Sequence, residues 1–142
     1  MVPIGLLLRM ALNALDGMMA RTYNMQSKLG EVLNEIGDVI SDLFIFIPMT
    51  QIKGLNHELL AFFIGLSIIN EFAGFMGKLI GKERRYDGPM GKSDRAFLVG
   101  IICCILFFRP INLIIINSIF IGASALIVLS TVIRLKKGLR DG

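Results

Sequence analysis

Residues 111–133 read INLIIINSIFIGASALIVLSTVI and carry no charged side chain. About 20 such residues cross the hydrocarbon core of a bilayer as a helix. In lipid, backbone polar groups must be satisfied within the structure itself, so the stretch is helical and not an open strand. Four more apolar segments precede it, at residues 2–19, 30–52, 59–80 and 96–108. Polar links at 21–29, 53–58 and 81–95 separate the first four, and a basic tail follows at 134–140. The composition agrees. Of 142 residues, 54% are hydrophobic and 18% charged, and the mean hydropathy is +0.70. A typical soluble domain has about 25% charged residues. A disordered chain is excluded, and an ordinary soluble globule is disfavoured. The pattern predicts an all-α, polytopic helical membrane bundle of about five transmembrane helices in a single domain, residues 1–142.

Charge placement predicts orientation. If the 21–29 link is cytoplasmic, alternation puts the 81–95 link and the tail on the same side. Twelve Lys and Arg residues then lie inside and two, Lys53 and Arg109, outside. This places the N-terminus outside, so a preceding span is expected and the chain reads as N-terminally truncated. The sequence does not open like a cleaved signal peptide, since it has no basic leader. The adjacent Cys103 and Cys104 diverge by about 100° on a helix and are expected to be inert thiols. His57 is expected to be a solvated link residue.

Acidic residues inside membrane segments are costly, which marks them as functional candidates. In segment one, Asn13, Asp16, Gly17 and Ala20 share one helical face. In segment two, Asn34, Asp38 and Asp42 share another, with Gly30 one turn before. Oxygen donors of this kind suit hard divalent cations such as Mg2+, Mn2+ or Ca2+. Arg21 is placed to hold a phosphate. The rival reading is that these polar residues pair within the bundle. Glu71, with Asn70, is a further intramembrane acid that either lines the same cavity or pairs with a basic residue. Gly77 and Gly81 fit a small-residue helix contact. The run from Gly88 to Ser93 looks superficially like a phosphate-binding P-loop, but its spacing fails.

The string Asn13-x2-Asp16-Gly17-x2-Ala20-Arg21-x8-Gly30-x3-Asn34-x3-Asp38 resembles the signature of the CDP-alcohol phosphatidyltransferases, D-x2-D-G-x2-A-R-x8-G-x3-D-x3-D. The resemblance extends over most of the chain. It implies six transmembrane helices with the motif on the second and third, which agrees with a missing first span. It implies metal binding at Asn13, Asp16, Asn34 and Asp38, with Asp38 as general base. Gly17, Ala20, Arg21 and Gly30 would surround the cytidine diphosphate. It further implies Mg2+ or Mn2+ as cofactor, CDP-diacylglycerol or a similar CDP-alcohol as donor, and an alcohol acceptor, with release of CMP in phospholipid biosynthesis. The basic residues Lys82, Arg84, Arg85, Lys92 and Arg95 either hold an acceptor phosphate or anionic head groups, or form an ordinary positive-inside loop. They favour a phosphatidylglycerophosphate-synthase-like branch and glycerol-3-phosphate. The implied setting is the inner membrane, as a homodimer among membrane lipids, with its active site facing the cytoplasm and no nucleic-acid partner.

Two positions depart from the signature. Asn13 and Asn34 stand where the first and third aspartates belong, so the four positions carry −2 and not −4. Three outcomes stay open. The site binds one metal, or Glu35 or Asp42 supplies charge, or catalysis is lost. In the last case the chain would bind CDP-lipid or assist a partner. A small transporter with a polar intramembrane cavity is a third reading.

Overall fold

The computed structural model describes residues 28–80, 84–108 and 112–140. The described residues are helical with short links and contain no strand. Segment one and the positions Asn13, Asp16, Gly17, Ala20 and Arg21 lie outside them. Segments two to five become helices α1 (Lys28–Phe46), α2 (His57–Ile80), α3 (Lys92–Phe108) and α4 (Leu113–Arg140). A one-turn 3-10 helix, Ile47–Gln51, follows α1. It contains Pro48, which has no N–H to continue the α-helical ladder.

Local chemistry sets the helix starts. Asn56 Oδ1 accepts the Leu59 N–H at 3.0 Å, and Asn112 Oδ1 accepts the Ile114 N–H at 3.0 Å. These side chains satisfy donors that a helix N-terminus leaves unpaired. Asp94, in the first turn of α3, accepts the Gly91 N–H at 2.9 Å.

The helices are inside out compared with those of a soluble protein. On α1, Asp38 and Asp42 are buried while Leu29, Leu33, Ile36, Ile40 and Phe44 are exposed. The exposed set recurs every three or four residues and forms one stripe. Such a face belongs in lipid. Helices α2 and α4 are each long and apolar enough to cross a membrane. Helix α1 carries too much charge to meet the same measure, and α3, at 17 residues, is short for it. The expected count of about five spans therefore has two clear members among the described residues.

The core sits toward one end. Phe63 packs edge-on against Phe46 at 5.6 Å and Phe120 at 5.0 Å between ring centroids. At that end the link after α1 meets the start of α4, where the Asn56 N–H donates to Asn117 Oδ1 at 3.2 Å. The link after α2 lies at the opposite end, against the close of α4. There Ser130 Oγ donates to Asp87 O at 3.1 Å. Neighbouring links thus alternate between ends, as the charge pattern requires.

Two boundaries differ from the sequence expectation. The tail 134–140 is not a tail, because α4 continues through it to Arg140. Arg134 is buried and donates to Asn70 O at 2.8 Å, and Gly138 is buried against Gly77. These contacts hold the last turns to α2. Helix α3 likewise begins at Lys92, before the apolar run, because Asp94 caps its first turn.

Candidate functional site

The site lies at the basic end, where all four helices and the 84–91 link converge. Small residues let the link lie down on α2. The Arg85 N–H donates to Gly74 O at 3.1 Å, and a Cβ at Gly74 would come within 2.7 Å of Arg85 O. The link then turns at Gly88, whose φ is +96°. A Cβ there would meet Ser130 at 2.7 Å. Met90 follows at φ 57°, a left-handed conformation uncommon outside glycine. Its carbonyl accepts from Arg95 Nη1 at 3.1 Å.

The turn carries Arg84, Lys92 and Arg95 against the acidic face of α1. Arg84 pairs with Glu35, Lys92 with Asp38, and Arg95 Nη2 lies 3.5 Å from Asp42. Glu71 on α2 is the hub behind them. Its carboxylate accepts from Arg84 Nη2 at 2.8 Å and Arg95 Nη2 at 2.6 Å, and Arg134 Nη1 lies 3.9 Å away. Among the described residues, Glu35, Asp42 and Glu71 thus face Arg84, Arg95 and Arg134, three charges against three. The balance matters because Arg95 and Arg134 have side chains only 0% and 2% exposed. Unpaired charges so deeply buried would be prohibitive.

Beside this network opens a cleft of about 430 Å³. Asn34 and Asp38 line it from α1, Glu71 from α2, and Arg134 from α4. Arg84, Tyr86, Lys92 and Asp94 complete the wall from the link and the start of α3. The volume suits a small ligand. The lining suits a charged one.

Of the positions singled out in the sequence, Asn34 and Asp38 line the same cleft, Asn34 exposed and Asp38 buried. Gly30 is exposed in the first turn of α1. Asp42 lies deeper, toward Arg95. Glu35 and Asp42 both face guanidiniums. Glu35, Asp42 and Glu71 pair with guanidiniums and Asp38 pairs with Lys92, while Asn34, Asp38 and Glu71 all line the cleft. Arg85 is not among the residues lining the cleft, and its Cβ and Cγ lie against Gly77. His57 is exposed and is the first residue of α2. Both cysteines are unpaired thiols.

Sequence reasoning missed Arg134 and Tyr86. Arg134 had a signal. Phe120, Ala123, Ile127, Ser130 and Arg134 fall three or four apart and are all buried. The core-facing stripe of α4 therefore runs straight into Arg134. Tyr86 had none; it stands under Arg84, whose guanidinium carbon is 4.9 Å from the ring centroid.

Among the described residues, no three His, Cys, Asp or Glu side chains gather to hold a metal ion. Two hard oxygen donors, the Asn34 amide and the Asp38 carboxylate, do share the cleft. A resident cation, the Lys92 ammonium, already sits on Asp38. That donor chemistry fits a hard divalent cation. The rest of the expected set, Asn13 and Asp16, lies outside the described residues.

The comparisons with known proteins meet this geometry. The family model of the CDP-alcohol phosphatidyltransferases matches residues 3–134. The chain is 46% identical over 101 residues to Inner membrane protein YnbA of Escherichia coli (strain K12). That match covers 71% of this chain, and the chain spans about half the length of that relative, 50%. No solved structure matches. With a family match over nearly its whole length, an inner membrane protein as relative and lipid-facing helices, the chain is a membrane protein that belongs to the CDP-alcohol phosphatidyltransferase family.

Proposed function

We propose that this chain transfers a substituted phosphate group from a CDP-linked lipid to an alcohol acceptor, with release of CMP. The observation that carries this reading is Asp38. It occupies the last position of the signature and lines a polar cleft together with Arg84, Lys92 and Arg134. In the proposed reaction Asp38 accepts the proton of the acceptor hydroxyl. The acceptor oxygen then forms a bond to the phosphorus that carries the lipid. The bond from that phosphorus to the bridging oxygen breaks, and CMP leaves with the electron pair. Arg84 and Arg134 orient an acceptor phosphate, which favours glycerol-3-phosphate or a similar phosphorylated alcohol. Asn13, Asp16, Asn34 and Asp38 would hold Mg2+ or Mn2+, which when bound neutralises charge on the diphosphate. Gly17, Ala20, Arg21 and Gly30 would surround the nucleotide. The donor approaches from the bilayer, with its head group at the cytoplasmic face, and a homodimer belongs to the same reading.

The test is CMP release from CDP-diacylglycerol in detergent, with Mg2+ or Mn2+ and a panel of acceptors including glycerol-3-phosphate. Turnover should need the metal and an acceptor, and Asp38→Asn should lower it by at least about 100-fold. One observation favours a second reading. Asn34 lines the cleft but brings it no charge. Retained CDP-lipid binding without turnover would favour a catalytically impaired member that binds CDP-lipid or assists a partner.

A further inference from the structure

Three carboxylates on α1 meet three cations, and those cations are held differently. Arg84, the partner of Glu35, also bonds Glu71 Oε2 at 2.8 Å. Arg95, beside Asp42, also bonds Glu71 Oε1 at 2.6 Å and Met90 O at 3.1 Å. Each guanidinium is a planar fork fixed at more than one point. Releasing either would break the Glu71 hub.

Among the described residues, the cation that meets Asp38 is of another kind. Lys92 is a single point charge on a flexible four-carbon stem. Its side chain is 26% exposed, against 0% for Arg95 and 11% for Arg84. It opens α3, directly after a link that turns at Gly88 and Met90. Lys92 and Asp38 both line the cleft.

We infer that Lys92 is a tethered cation that competes with a divalent metal for Asp38. It neutralises the carboxylate while the cleft holds no metal, and it must swing away for a metal to bind. This rests on the reading of Asp38 as a metal ligand. The physical logic is short. Asp38 is 7% exposed, and a carboxylate so placed requires a cation. The ammonium regains water when it leaves, because its position is open to the cleft. Displacing it therefore weakens metal binding by a modest factor. Only the Lys92 end of the pair is open to solvent, and that keeps its net worth near that of a surface pair, about 1 kcal/mol, so removing the competitor should tighten binding roughly fivefold.

The experiment measures Mn2+ binding to the detergent-solubilised protein, following free Mn2+ by its paramagnetic resonance signal. Lys92→Gln should bind Mn2+ roughly fivefold more tightly than the unaltered chain. Lys136→Gln, which removes the same charge from an exposed position on α4, should change binding less than twofold. Lys92→Arg keeps the competing charge and should bind no more tightly than the unaltered chain. Lys92→Met, which keeps the apolar stem, serves if Lys92→Gln does not fold. Unchanged or weaker binding in a folded Lys92→Gln or Lys92→Met protein overturns the inference. If Asp38→Asn leaves Mn2+ affinity intact, the reading of Asp38 as a ligand fails instead.

Discussion

At the scale of the residue, Glu71 faces three guanidiniums from three different elements. Arg84 comes from the link, Arg95 from α3 and Arg134 from α4. Its side chain is 7% exposed, so solvent cannot stand in for it. Breaking a buried ion pair by removing one partner leaves an uncompensated charge, at a cost of about 3–5 kcal/mol. Glu71→Gln should therefore lose about that much stability, seen as a large fall in Tm in detergent. The double variant Glu71→Gln/Arg84→Met should lose less than the sum of its parts, because the partners form one network. An additive result would show that Glu71 and Arg84 act independently.

At the scale of the element, the end of α4 is pinned to the link after α2. Lys137 Nζ donates to Asp87 Oδ1 at 2.5 Å, and Arg134 Nε donates to Asp87 O at 3.2 Å. The hydrogen bond from Lys137, and the charges of Lys137 and Arg85, hold the Asp87 carboxyl below its ordinary value of 3.8. A carboxylate with a lowered folded value adds stability that is fully present above its unfolded value. That stability fades as pH falls through the folded one. Asp87→Asn should therefore melt below the unaltered chain at pH 6, and the gap should close as pH drops below about 4. A gap that stays constant with pH would show that the carboxylate charge is not the cause. The close fit of Gly138 on Gly77 serves the same junction. Of the small-residue contact expected at Gly77 and Gly81, Gly77 meets Gly138 of α4, and Gly81 lies outside the described residues.

At the scale of the whole molecule, charge and chain direction are linked. Lys53 lies at one end with Asn56 and the start of α4, while Arg84, Lys92 and the close of α4 lie at the other. The basic end is the one expected to face the cytoplasm. With Cys103 and Cys104 replaced by Ala, Lys53→Cys should react with an impermeant thiol reagent in intact cells. Lys136→Cys should react only after permeabilisation. The reverse labelling would invert the orientation and put the cleft on the outer side.

The sequence by itself determined the membrane class, the positions of four helices and the signature carrying Asn34 and Asp38. These follow from local regularities: apolar length, a period of three to four residues, and fixed motif spacing. It also determined the alternation of links, because like charges gather on one side. Only the tertiary structure decided the partners. Spacing put Asn34, Asp38 and Asp42 on one face of α1, but the rotation of α1 against its neighbours sent Asp42 to Arg95 and Asp38 to Lys92. The sequence named Glu71 as an acid that needs an explanation, and three-dimensional packing supplied its guanidiniums. Arg134 read as tail because hydropathy ends at residue 133, yet helix periodicity continues and α2 offers it the Asn70 carbonyl. Pairings of this kind depend on how whole helices are rotated and offset against one another. That information belongs to the packed bundle and to no single segment of the chain.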